Sequence, residues 1–98
     1  MNWRSKKLLA AAKDAPHCMS CFMPNDGTVV AAHSNQIRDG KGTGIKAHDY
    51  RSAFICGTCH YEIDNGSGLS RSARIQAWED AHRHTVGWLF ESGRLEIK

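Results

Sequence analysis

The chain has 98 residues, 41% of them hydrophobic and 23% charged, with a formal net charge of +3. That composition gives one domain with a modest core, argues against a disordered chain, and admits a polyanionic partner without requiring one. No apolar run approaches a bilayer span and the apolar stretch near the start is too short for a signal peptide, so the sequence reads as a soluble, cytoplasmic protein with no membrane partner.

Residues 5–14 carry Leu8, Leu9, Ala11 and Ala12 among lysines and stop before Pro16, the pattern of a short amphipathic helix with a proline terminator. Its basic end, Arg4, Lys6 and Lys7, either meets phosphates or keeps the helix solvated. Cys18-Met19-Ser20-Cys21 is a first Cys-x2-Cys pair, and Pro24-Asn25-Asp26-Gly27 is dense turn chemistry. Thr28-Val29-Val30-Ala31-Ala32-His33 is β-branched at its start and predicts a strand that delivers His33 at its end.

Residues 34–49 are polar and contain Gly40-Lys41-Gly42-Thr43-Gly44, followed by Ile45-Lys46. A phosphate-binding loop of the Walker type needs a lysine and a hydroxyl directly after its last glycine, so this is not one. The segment reads as a mobile, basic, substrate-facing loop or as a plain connector. Arg38, Lys41 and Lys46, with Arg51 just beyond, are the candidate nucleic-acid contacts.

Residues 49–55 predict a second strand, antiparallel to the first, that ends at Cys56-Gly57-Thr58-Cys59 and runs directly into His60. If the chain is helical from Cys59, His60 and Asp64 are i and i+4 on one face and both reach a single ion. Asn65-Gly66-Ser67-Gly68 breaks that helix. From Ser70 as N-cap a longer helix runs to Gly93, with Ile75, Trp78, His82, Thr85 or Val86 and Leu89 on its apolar side. Residues 94–98 read as a short terminal strand.

Two Cys-x2-Cys pairs without an export signal match a tetrahedral structural zinc site better than two disulfides, with His17 a bystander beside Cys18. His33 is a candidate general base because imidazole titrates near neutral pH; otherwise it is a hydrogen-bonded histidine at a strand end. His60 with Asp64 offers nitrogen and oxygen to a divalent ion; otherwise Asp64 only caps or solvates a helix end. His82, His84, Trp78 and Trp88 read as packing or surface residues. The order helix, knuckle, strand, loop, strand, knuckle, helix, long helix gives an α+β fold with a treble-clef layout. One domain spans 1–98: an N-terminal helix within 1–16, a zinc-stapled core at 17–66 and a C-terminal helix at 70–93.

Val30-Ala31-Ala32-His33, Gly42-Thr43-Gly44, Asp49, the run Cys56-Gly57-Thr58-Cys59-His60-Tyr61-Glu62-Ile63-Asp64 and Trp88-Leu89 with Gly93 carry a family resemblance. The chain resembles HNH endonucleases of the ββα-metal class, including those with a structural four-cysteine zinc, and more closely the small YbcO-like nucleases of phages and prophages. The resemblance implies a metal-dependent DNA endonuclease working in the cytoplasm of a bacterial host. In it His33 is the general base, Asp49 (with His48 as runner-up) orients that base, and Cys18, Cys21, Cys56 and Cys59 hold zinc. His60 and Asp64 hold the catalytic ion, Mg²⁺ or Mn²⁺ first, with Zn²⁺ or Ni²⁺ as alternatives. It further implies low sequence specificity, with selection of DNA structure in recombination or processing, and leaves a homodimer open. Ala32 departs from the pattern, since many members place Asp or His there as a metal ligand; Asp64 is the substitute. The rival reading is a non-catalytic zinc-stapled module that binds DNA or protein through a degenerate site.

Overall fold

In the computed structural model, which describes residues 2–66 and 68–97, the first helix begins where the Ser5 hydroxyl accepts the Leu8 amide. This α1 (Lys6–Ala10) tightens into a 3₁₀ turn over Ala11–Asp14 and ends in extended backbone at Ala15, before Pro16. It is shorter as an α-helix than the apolar pattern predicts. Ala12 is buried, and Leu8 and Ala11 pack beside it on the core.

Two strands, β1 (Val30–His33) and β2 (Ser52–Ile55), form an antiparallel hairpin in which Val30 faces Ile55 and His33 faces Ser52. Both are shorter than predicted, for local reasons. Thr28 gives its amide and hydroxyl protons to the Asp26 carboxylate, while its own oxygen accepts the Gly57 amide. A residue used in that way caps a turn and does not extend a ladder. On the other strand, the Arg51 amide bonds back to the His48 carbonyl, so residues 48–51 turn and pairing begins at Ser52. All four residues of β2 are buried. Its outer edge is also closed: the Phe54 amide donates to the Thr85 hydroxyl and the Phe54 carbonyl accepts the Met19 amide, both at 2.9 Å.

The next helix, α2 (Gly57–Asn65), starts at Cys56 and ends at Gly66, whose φ of 64° is the left-handed conformation that favours glycine. Ser67 of the predicted breaker lies outside the described residues. The long helix α3 (Arg71–Glu91) begins as predicted at Ser70, whose hydroxyl accepts the Ala73 amide at 3.0 Å. Its buried side is Trp78, Ala81, His82, Thr85 and Leu89. Three polar groups on that side pin it to the hairpin. The Trp78 indole N–H donates to the Ala32 carbonyl at 3.0 Å, the His82 Nδ1–H to the Ser52 carbonyl at 2.8 Å, and Thr85 receives the Phe54 amide. Each buried carbonyl or amide thus has a partner, as a dry core demands.

The predicted terminal strand does not form over 94–97, and Lys98 lies outside the described residues. Gly93, at φ 79°, turns the chain so that the amides of Arg94 and Leu95 both reach back to the Leu89 carbonyl. The helix C-terminus captures these donors before any sheet does. The core lies between α3, the hairpin and the first cysteine pair, with Phe54, Ile55, Met19 and Cys18 among its most enclosed side chains. Among the described residues no helix is long and apolar enough to cross a membrane.

Candidate metal centre and adjoining cleft

The two cysteine pairs come together although 35 residues separate Cys21 from Cys56. All four sulfurs lie within 4.8 Å of one another, and Cys21 and Cys56 are 4.0 Å apart. Thiolates about 2.3 Å from a tetrahedral zinc would be about 3.8 Å from one another, so the cluster has the dimensions of a metal nest. Among the described residues it is the one group of three or more such ligands gathered this closely. His17 is not part of it, since its Nδ1–H donates to the Cys18 carbonyl.

The electrostatics of the nest point the same way. Burial opposes ionisation of Cys18, but the amides of Cys21, Cys56 and Ser20 aim at its sulfur and bring its pKa down to about 7. The Met23 amide favours the Cys21 thiolate, yet burial and the Cys18 sulfur outweigh it and push that pKa up. Burial and the neighbouring sulfurs push Cys59 up strongly. Once the first thiolate forms, its neighbours resist ionising unless a cation shares their charge. The cluster is therefore compatible with a structural metal ion, which would be bound with release of protons.

The second knuckle leads straight into α2, and α2 carries His60 and Asp64 one turn apart. His60 Nε2 is 3.0 Å from Asp64 Oδ2, and Asp64 Oδ1 accepts the Asn35 amide at 3.0 Å. At this distance the two side chains are joined by an ordinary i,i+4 hydrogen bond or ion pair, which must open before both atoms can turn to a cation. Across from α2, β1 directs Ala31 and His33 to the same side. A cleft of about 220 Å³ is lined by His33, Asn35, Lys41, Lys46, His60 and Asp64 among its walls. Ala32 lies on the opposite, buried face of β1, in the core.

Behind the cleft, His33 Nε2 bonds the buried Asp49 carboxylate at 2.8 Å. The other Asp49 oxygen accepts the Ser5 amide at 2.6 Å, and the half-exposed Arg4 guanidinium stands 3.2 Å from the first. Burial works against the Asp49 carboxylate, but the His33 bond, the Ser5 amide and the nearby positive charges win and hold its pKa below the usual carboxylate range. An ionised carboxylate only accepts, so the proton of neutral His33 sits on Nε2 and Nδ1 keeps its lone pair.

Of the four basic residues expected at nucleic acid, Lys41 and Lys46 line the cleft and Arg38 and Arg51 do not. Arg38 pairs with Glu79 on α3 at 2.9 Å, and Arg51 stands 3.5 Å from Asp39 and over the Tyr50 ring. His48, the alternative partner for the base, accepts the Trp3 amide and stacks on Tyr50. The loop expected to be mobile is folded on itself: Gly42 and Ile45 exchange both backbone bonds, and the His48 amide reaches the Asp39 carbonyl.

Sequence reasoning missed Asn35, which ties Asp64 to the loop after β1. It also missed the role of residues 2–5. Asn2 donates to the carbonyls of Gly40 and Lys46, and Arg4 donates to those of Ala47 and Lys46. Arg4 therefore points inward at Asp49 and the loop, not outward at phosphates. An Arg followed by a capping Ser resembles any helix start, so no local signal marked it. Comparisons with protein-family models, with curated proteins and with solved structures found no match.

Proposed function

We propose that this chain is a metal-dependent DNA endonuclease of the HNH type, a treble-clef ββα-metal unit stapled by zinc, of the kind found in phages and prophages. The observation that carries this reading is the convergence of His33 and His60, from different elements, on one cleft that also holds two lysines and Asp64. A lone strand-end histidine would need no such company.

In this mechanism Lys41 and Lys46 receive the DNA backbone and offset the charge of the phosphate. His33, held by Asp49 through Nε2, accepts a proton from water at Nδ1, and the Asp49 carboxylate stabilises the imidazolium that results. The water oxygen forms the new bond to phosphorus, the bond from phosphorus to the 3′ oxygen breaks, and that oxygen takes up a proton. His60 and Asp64 would hold a divalent cation, Mg²⁺ or Mn²⁺ first, and a bound cation supplies positive charge to the phosphoryl and leaving oxygens. With few side chains suited to reading base edges, recognition rests on backbone and shape.

The test is nicking of supercoiled plasmid by zinc-loaded protein, with and without added Mg²⁺ or Mn²⁺, beside His33→Ala and His60→Ala. The expected result is nicking that depends on the added ion and disappears in both variants while DNA binding persists. DNA binding by the wild type without nicking under any ion would replace this proposal with the non-catalytic module. The closed His60–Asp64–Asn35 arrangement and the core-facing Ala32 are the features that favour that second reading.

A further inference from the structure

The chain has seven arginines, and five of them sit beside carboxylates: Arg4 with Asp49, Arg38 with Glu79, Arg51 with Asp39, Arg83 with Asp80 and Arg94 with Asp14. Arg71 and Arg74 alone have no carboxylate within ion-pair distance among the described residues. They are neighbours on one face of α3, three positions apart, and its first turn contains no acid to neutralise them. Both line a cavity of about 100 Å³ whose walls include Ile63, Ile75 and Trp78.

Arg74 is held in place there. Its guanidinium lies over Gly66 so closely that a Cβ at Gly66 would come within 2.5 Å of Nε, and its Nη1 donates to the Asp64 carbonyl at 3.4 Å. Its Nε is buried and has no acceptor among the described residues. A buried charged donor without an acceptor is an unfavourable arrangement, and Arg74 also lines the cavity, where an anion would bring acceptors to its guanidinium. Asn35 lines both this cavity and the cleft that holds His33 and His60, so the two spaces are adjacent.

We propose that Arg71 and Arg74 form a second phosphate subsite that grips the DNA backbone next to the phosphate held in the cleft. The proposal rests on the nuclease reading for the identity of the ligand, and on the unpaired guanidiniums for its location. The held guanidinium of Arg74 and the exposed one of Arg71 beside it, at a partly apolar recess, can meet a phosphate with paired N–H donors, which a lysine does not replace well. The cavity suits a single phosphate group and not a whole nucleotide. Contact at this subsite fixes the register of the strand across the cleft and carries no base information.

The first measurement follows the Arg74 Nε–H signal of the zinc-loaded wild type by NMR during titration with inorganic phosphate and then with a short DNA duplex. A saturable shift with both is expected. The second compares salt dependence of duplex binding for the wild type and for Arg71→Gln/Arg74→Gln. Loss of one phosphate contact lowers the slope of log affinity against log salt by about 0.9, so between 50 and 200 mM salt the variant loses about 3.5-fold less affinity than the wild type. Arg71→Lys/Arg74→Lys should restore the slope but only part of the affinity. A silent Nε–H signal in both titrations, or an unchanged slope in a folded glutamine variant, overturns the subsite. A phosphate-induced shift in a protein that never nicks DNA leaves the subsite standing and removes the nuclease reading.

Discussion

Replacing Asp49 by Asn tests the polar centre on which the cleft is built. The wild-type carboxylate receives the Ser5 amide at 2.6 Å and His33 Nε2 at 2.8 Å while almost wholly buried, and the Arg4 contact is half exposed and adds little. Hydrogen bonds to a charged group contribute about 1.5–3 kcal/mol each, and Asn keeps one acceptor oxygen of the two, so the net loss should be about 2–4 kcal/mol at neutral pH. Urea unfolding of both zinc-loaded proteins from pH 7 to pH 3 reads this directly. Because the folded pKa of Asp49 is depressed, its stabilisation is complete above the ordinary Asp value of about 4 and is lost as pH falls through the folded value. The gap between wild type and variant should therefore be widest at neutral pH and close only below about pH 4. The variant should also lose nicking, since an amide that donates to Nε2 reverses the His33 tautomer. A gap below about 0.5 kcal/mol, or one that does not change with pH, would show that Asp49 is not ionised or not coupled to His33.

Cys59→Ser should abolish stoichiometric metal binding and the cooperative unfolding transition, because a structural ion held by four thiolates, as zinc is in small domains, contributes on the order of 10 kcal/mol; elemental analysis and circular dichroism check it. His60→Ala, on a partly exposed helix face, should leave the urea midpoint within about 0.5 kcal/mol of wild type while ion-dependent nicking disappears. Trp78→Phe leaves the Ala32 carbonyl without its indole donor and should cost about 1–3 kcal/mol by urea unfolding. Gly66→Ala must place a side chain at positive φ and against Arg74, so a loss of about 1–2 kcal/mol or more with displacement of the Arg74 Nε–H resonance is expected.

Much of the architecture was legible because its signals are local. Ser70 capped the long helix as its position suggested, Gly66 ended α2, and the Cys-x2-Cys spacing anticipated the sulfur cluster. The contact of His33 with Asp49 was suggested by family resemblance and not by periodicity, since residues 48–51 turn where alternation implied a strand. What stayed hidden is long-range. Asn2 and Arg4 look like an unstructured start, yet they bond across to residues 40–49, and a local pattern carries no trace of partners 38 or more positions away. Arg38 and Arg51 stand out in the sequence as candidate nucleic-acid contacts because Glu79 and Asp39 become their respective partners only when α3 and the loop are packed. The terminal strand failed for the converse reason: its apolar alternation was real, but the end of α3 claimed its amides.

The second cysteine pair sits at one end of α2 and Gly66, beneath Arg74, at the other, so the helix behaves as a rod fastened at both tips. A change in the size of an ion held among the sulfurs would act first at the Cys59 end of α2, next to His60, while Asp64 stays tied to Asn35 and Gly66 stays under Arg74. An ion bound among the sulfurs would thus work as a molecular calliper: its radius sets how far the near tip of α2 stands from the hairpin while the far tip stays put.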